Sequence, residues 1–323
     1  MNPSQDSLAI LLLCSQLALA DDETKPLTLR EWNPLARKLQ AAALRPASLL
    51  DLQVTDLQRQ LALSAEVAAR IALLVDRAGA LQASLERCAR LGIFPLTRAD
   101  ADYPQRYRER LKDSAPSVLF YAGEQALLGQ PGIAVVGSRR LDDAGQECAR
   151  FVGNACGLSG QVLYSGGARG VDTLSMDAAL EARGTAVGVL ADSLEKSLRA
   201  HETALRCGDL CLVTPYSPNA GFSVGAAMGR NRLIYCLADY AIVVASDAGT
   251  GGTWSGASET LKNGWVPVFV LEHADMPDGN RELLKKGALP FPHPFTEPPL
   301  RLPGWLQEKS ASLPKPSNQM TLF

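Results

Sequence analysis

From Ile133 to Leu271 the chain repeats one unit: a short apolar run, a polar or glycine-containing turn, and then a stretch with helical spacing. The apolar runs are Ile133–Val136, Gln161–Tyr164, Thr185–Ala191, Leu210–Thr214, Tyr240–Ala245 and Val266–Leu271. Between them lie stretches of helical character, roughly 142–158, 172–183, 194–206, 224–237 and 253–263. Strands alternating with helices build βαβ units, and these close right-handed crossovers onto a parallel sheet. A run such as Ala241-Ile242-Val243-Val244 has no polar alternation, so it suits a strand covered on both faces.

The chain before this region has a different texture. Leu8–Ala20 is apolar and ends in Ala18-Leu19-Ala20, which mimics a secretory cleavage site. The residues ahead of it hold no Lys or Arg, as a secretory leader would, and the stretch is too short to span a bilayer. It is expected to be a buried helix. Thr28 with Glu31 three positions on forms a capping-box pattern, and Leu27 with Trp32 forms a hydrophobic staple. Two more helical stretches follow at 51–63 and 66–78. These features predict a small helical domain over 1–97, a Rossmann-like domain over 98–296, and a flexible, proline-rich tail over 297–323. Within the second domain, 99–130 leads into the sheet and adds a strand near Val118–Tyr121.

Charge bounds the function. The chain has 323 residues and a formal net charge of −2, so a polyanion ligand would need a local positive field. The seven cysteines include no CxxC pair, and the three histidines are scattered. This pattern suits idle thiols in a reducing, cytoplasmic setting and implies no metal site and no cofactor.

Ligands of open parallel sheets bind outside the carboxyl ends of the strands. Gly137-Ser138-Arg139-Arg140 follows the first strand, and Ser165-Gly166-Gly167-Ala168-Arg169-Gly170 follows the second. A further loop runs from Ser246 to Gly251-Gly252-Thr253, and Gly229-Arg230-Asn231-Arg232 lies on the helix before that loop's strand. Glycines let the backbone approach a phosphate, helix N-termini aim amides at it, and arginines add bidentate charge. Ser138, Ser165 and Thr253 can add hydroxyl donors. Each loop alone could be only a turn and a helix cap, but three together suit a polyphosphate or a nucleic-acid backbone. Arg232 could equally make an ordinary surface ion pair. Asp172 is expected to cap its helix and orient the glycine loop. No triad spacing, no GxxxxGK[ST] and no GxGxxG after the first strand is present.

Val136-Gly137-Ser138-Arg139, Ser165-Gly166-Gly167-Ala168-Arg169-Gly170-Val171-Asp172 and Gly229-Arg230-Asn231-Arg232 together resemble the DprA/Smf DNA-processing family. Tyr103-Pro104, Leu119–Gly123, Asn280, Leu284 and Gly287-Ala288 resemble its flanking segments. The resemblance implies an extended Rossmann fold and single-stranded DNA binding without sequence preference. It also implies homodimerisation and delivery of DNA to a RecA-type recombinase in transformation or recombination. Arg139, Arg169, Arg230 and Arg232 would face the DNA by position. The chain departs from the family where Ala191-Asp192-Ser193-Leu194 replaces a YPxxN segment, and where Gly251–Ala257 replaces SGSLxTA. Gly251-Gly252-Thr253 also resembles the GGxGTxxE motif of lysine-decarboxylase-like phosphoribohydrolases, with Glu259 as the nearest acid. That gives a rival reading as a nucleotide-binding or nucleotide-cleaving enzyme. At the end of the tail, Gln319-Met320-Thr321-Leu322-Phe323 resembles the QxxLF peptide that binds the bacterial sliding clamp. Gln319 would make the polar contact, with Leu322 and Phe323 as apolar anchors; folding back onto the domain is the alternative.

Overall fold

The computed structural model describes residues 3–17, 24–311 and 313, and its chain divides into two units. The first comprises Met1–Tyr103, Lys112–Tyr121 and Pro215–Pro218. It holds α1 (Gln5–Cys14), α2 (Leu29–Ala41), α3 (Val54–Leu61), α4 (Ala65–Val75), α5 (Ala78–Arg90) and β1 (Phe94–Thr97). β2 (Val118–Gly123) begins in this unit and pairs antiparallel with β1, from Phe94 opposite Tyr121 to Thr97 opposite Val118. The boundary expected at residue 97 is therefore corrected. The unit runs to Tyr103 and takes in 112–121, because β1 needs a partner that comes later in the chain.

Local chemistry sets these helices. α1 is capped by Ser4, whose hydroxyl accepts the Ser7 amide at 3.1 Å, and Ala9–Leu13 are buried. Residues 18–20 of the cleavage-site mimic lie outside the described residues. No described helix is long and apolar enough to cross a membrane. At the start of α2 the Thr28 amide and hydroxyl both donate to the Glu31 carboxylate, at 2.8 and 2.9 Å. These bonds, led by the Thr28 amide and joined by Arg70, hold the Glu31 carboxyl below the usual carboxylate range. Leu27 and Trp32 are buried beside this cap, as a staple requires.

The second unit contains α6 (Gln105–Leu111), β3 (Gly132–Val136), α7 (Asp143–Ser159), β4 (Val162–Ser165), α8 (Val171–Glu181) and β5 (Ala186–Val189). It continues through α9 (Leu194–Ala200), α10 (Glu202–Cys207), β6 (Leu210–Thr214), α11 (Val224–Leu237) and β7 (Tyr240–Val243). It closes with α12 (Gly251–Asn263), β8 (Val268–Glu272), α13 (Asp278–Lys285), β9 (Leu289–Pro292) and α14 (Leu302–Ser310). Strands β3 to β9 form a parallel sheet in the order β6-β5-β4-β3-β7-β8-β9. Ile133 sits in register with both Leu163 and Tyr240, so β3 lies between β4 and β7. Every residue of β3, β4, β5 and β6 is buried, as expected of strands covered on both faces. The chain winds outward from β3 to β6 and returns to β7. The order therefore reverses between β3 and β7, where such sheets open a crevice.

Two arginines of α6 hold the C-terminus of α11. Arg106 donates to Leu237 O at 2.6 Å, and Arg110 to Cys236 O and Ala238 O at 2.9 and 2.6 Å. They satisfy carbonyls that the end of a helix leaves without partners. Arg106 also pairs with Asp239 at 2.7 Å, whose other oxygen accepts the Gly132 amide at 2.9 Å. Neither α6 nor this clamp was anticipated from the sequence.

The start of the expected tail is also corrected. Residues 299–310 form a short 3-10 turn and α14, with Leu302 and Leu306 buried. Phe295 stacks on Phe291 with ring centroids 4.9 Å apart, and Trp305 meets both edge-on. The prolines obscured a spaced set of large apolar side chains that have a sheet edge to bury against. Gln319, Leu322 and Phe323 lie outside the described residues.

Candidate functional site

The loops after β3, β4 and β7 converge on a cleft of about 460 Å³ at the β3/β7 reversal. Its lining includes Gly137–Arg140, Ala168 and Asp172, Ser246 and Asp247, and Thr250–Thr253. A second hollow of about 300 Å³ adjoins it, lined by Arg139, Gly166–Arg169, Ala191 and Asp192. The glycine segments singled out in the sequence are thus brought together at one sheet edge.

Each loop is pinned from beneath. The Ser138 amide donates to Ala245 O at 2.9 Å, tying the β3 loop to the end of β7. Ser165 is fully buried and its hydroxyl donates to Val135 O at 2.7 Å. It therefore staples two strands and is not a ligand donor, contrary to the expectation. Asp172 accepts the Ala168 amide at 3.2 Å and so orients the 165–170 loop as expected, but it lies within α8 and does not cap it; Gly170 holds the cap position. Gly170, before α8, has φ +92° and ψ −126°, a backbone region that only glycine enters freely. A Cβ there would meet Ser138 O at 2.7 Å, so the same glycine lets the two loops touch. Below the third loop, Asn280 is fully buried. Its Oδ1 accepts the Ser246 amide at 2.9 Å, and its Nδ2 donates to Val244 O and Leu271 O, both at 3.0 Å. The sequence offered Asn280 only as part of the family resemblance, with no sign of this role.

The arginines divide into two kinds. Arg139, Arg140 and Arg169 are exposed around the cleft. Arg230 is only 6% exposed, and its Nη1 donates to Val189 O at 2.6 Å. Its guanidinium lies over Gly166, where a Cβ would fall 1.8 Å from Nη1 and 2.5 Å from Asp172 Oδ2. Glycine at 166 leaves room for this buried pair. Burial pushes the Asp172 carboxyl pKa up, while Arg230, the Ala168 and Gly166 amides and the Ser165 hydroxyl oppose it. Arg230, expected to face DNA, lines both hollows from the floor on which the loops sit and braces that floor. Arg232, two residues on, is half-buried and does not line the cleft, so α11 does not present both arginines there.

Asn231 lies against Gly252 at the start of α12, 2.5 Å from where a Cβ would stand. The caps of α8 and α12, Gly170 and Thr250, make no side-chain bond to their helices, so the first-turn amides are not taken up by a capping side chain. Gly251, Gly252 and Thr253 occupy that first turn of α12 and line the cleft. The lining also has an apolar part, Phe222, Val224 and Met228, all exposed, with Phe222 at 56%. Arg139 lies 5.8 Å from the Phe222 ring centroid, a cation–π contact at the mouth of the cleft. Nothing in the sequence distinguished Phe222. Glu259 lies outside the lining, about 9 Å beyond Thr253 along α12 at 1.5 Å per residue. No group of three or more His, Cys, Asp or Glu among the described residues is placed to hold a metal ion.

The family model described as DNA recombination-mediator protein A matches residues 95–294. The DNA processing protein DprA of Streptococcus pneumoniae is 30% identical over 181 residues, covering 54% of this chain and 63% of the relative. Protein Smf of Synechocystis sp. is 28% identical over 163 residues, covering 48% of this chain and 40% of the relative. The chain thus matches less than two thirds of the length of these curated relatives. Among solved structures, DNA processing protein A from Streptococcus pneumoniae superposes with a TM-score of 0.66 at 22% identity, over 90% of this chain and 95% of that one. This likeness establishes the shared fold. DNA processing protein A from Helicobacter pylori, whose structure is described for its single-stranded DNA binding mode, gives 0.52 at 27% identity, over 61% and 90%. The family match spans the whole parallel sheet and the cleft at its carboxyl edge, and the chain belongs to the DNA recombination-mediator protein A family.

Proposed function

We propose that this chain is a cytoplasmic single-stranded DNA-binding protein of DNA recombination or natural transformation, which holds the strand at the β3/β4/β7 edge. One observation carries the reading. Three exposed arginines, Arg139, Arg140 and Arg169, stand on loops tied down by the Ser138–Ala245 and Ala168–Asp172 hydrogen bonds, around a cleft at the topological switch. Phosphates meet these guanidiniums and the first-turn amides of α12, and the Phe222 ring offers a face to an unpaired base. The name of the Streptococcus pneumoniae relative, a DNA processing protein, and the single-stranded DNA binding mode described for the Helicobacter pylori protein support the same ligand. Binding rather than turnover is proposed, because Glu259, the acid of the phosphoribohydrolase reading, stands away from the cleft. A homodimer that passes its strand to a RecA-type recombinase completes the proposal.

Fluorescence polarisation with a labelled oligonucleotide over a salt series tests it. With three exposed arginines the slope of log K against log salt should approach −2, at about −0.7 per neutralised phosphate of a single strand. Arg139→Ala and Arg169→Ala should each cost about 1–3 kcal/mol of binding. An affinity independent of salt, or unchanged in the double variant, overturns the reading. Nucleoside monophosphates should release no free base; release that is lost in Glu259→Ala would favour the enzyme.

The tail contributes a second contact. Gln319, Leu322 and Phe323 are proposed to bind a sliding clamp, the linker setting the effective concentration. A labelled tail peptide should bind purified clamp at micromolar concentration and lose this in Leu322→Ala/Phe323→Ala. No binding at high clamp concentration removes this contact and leaves the strand-binding proposal in place.

A further inference from the structure

The sheet order fixes a sequence of charges along the carboxyl edge. Asp192 follows β5, Arg169 follows β4, Arg139 and Arg140 follow β3, and Asp247 follows β7. All five side chains belong to exposed residues, and all five residues line the two adjoining hollows. The cations therefore occupy two neighbouring strand ends, and a carboxylate stands on the next strand end to either side. Neighbouring strands lie about 4.8 Å apart, so the ends of β5 and β7, which the two acids follow, are about 14 Å apart across the sheet. Neither carboxylate makes an ion pair among the described residues. The third acid of the cleft, Asp172, is different: it is buried and answered by Arg230.

An unpaired carboxylate within a few ångströms of a polyanion path opposes binding wherever the strand comes near it. A strand laid along the sheet edge would pass both. A strand that crosses the edge at β3 and β4 meets only arginines and loop amides. We infer that Asp192 and Asp247 delimit the strand's path, so that single-stranded DNA crosses the sheet edge at the β3/β4 ends and contacts only a few phosphates per chain. The inference rests on the proposed strand binding and assigns these two acids the role of setting its extent. They touch no reacting group; they act by repulsion.

The test compares the parent with Asp192→Asn, Asp247→Asn and the double variant on short and long oligonucleotides over a salt series. Asp275→Asn, an exposed acid outside the cleft, is the control. Two unit charges about 7 Å apart in water interact by roughly RT, so each neutralisation should tighten binding about three-fold at low salt. The double variant should gain close to ten-fold, its salt slope should steepen, and the shortest oligonucleotide giving full affinity should lengthen as the path opens. Gains no larger than those of Asp275→Asn, or a gain with unchanged minimum length, overturn the inference. Failure of the underlying reading looks different: the parent would not bind, or Arg139→Ala/Arg169→Ala would bind as the parent does.

Discussion

Replacing Arg230 with alanine separates a bracing arginine from a ligand-facing one. The substitution removes the bond from Nη1 to Val189 O and leaves Asp172 buried without its cation. Removing one partner of a buried charge pair costs about 3–5 kcal/mol. At a urea m-value of about 2.5 kcal/mol/M the midpoint should fall by about 1.5 M. Arg139→Ala and Arg169→Ala, at exposed positions, should stay within about 0.5 kcal/mol of the parent. The pH dependence has a definite sign. Burial raises the folded-state pKa of Asp172 above its unfolded value, so ionising it in the fold is unfavourable. The stability tied to its protonated form is complete below the unfolded pKa, near 3.9, and is lost as pH rises through the folded pKa. Without Arg230 that folded pKa climbs further, so the deficit of Arg230→Ala should be larger at pH 8 than at pH 5. Arg230→Met/Asp172→Leu, which removes both charges, should recover most of the loss. Urea unfolding by circular dichroism at the two pH values reads all of this. An Arg230→Ala protein within 1 kcal/mol of the parent that no longer binds DNA would refute the assignment and return Arg230 to the ligand.

Three other outcomes follow from the same packing. Gly170→Ala forces a side chain into a glycine-only backbone region against Ser138 O, and should cost about 1–3 kcal/mol while weakening strand binding more than Arg140→Ala does; parent-like stability and binding would contradict the loop contact. In native protein only Cys207 should react quickly with a thiol reagent, because burial pushes the Cys148 and Cys156 thiols up to about 12; fast modification of several cysteines without denaturant would show an open core. Leu306→Ala should cost about 2–5 kcal/mol on unfolding, as expected of a fully buried leucine; a change below 0.5 kcal/mol would mean that α14 does not pack on the domain.

Much of this protein is written locally in its chain. Apolar runs without alternation marked the strands from β3 to β8, because a strand covered on both faces tolerates no polar side. Gly137, Gly166 and Gly170 marked the strand ends, and Thr28 with Glu31 marked a helix start, since turns and caps depend on a few adjacent residues. Other features required the tertiary structure. The order β6-β5-β4-β3-β7-β8-β9, which sets Asp192 and Asp247 on either side of the arginines, is a property of pairing between distant segments. So is the pairing of β1 with β2. The proline-rich stretch near 290–303 becomes β9 and the approach to α14 only because Phe291, Phe295 and Trp305 find one another. The RNR segment shows the limit most clearly. Arg230 and Arg232 are equivalent as a string of residues, but a helix turns 200° between positions two apart. The way α11 is seated on the sheet, with its C-terminus held by Arg106 and Arg110, sends Arg230 into the floor of the cleft and Arg232 away from it. Residue type was legible in the sequence, whereas the direction each side chain faces was decided by the packing of elements far apart in the chain.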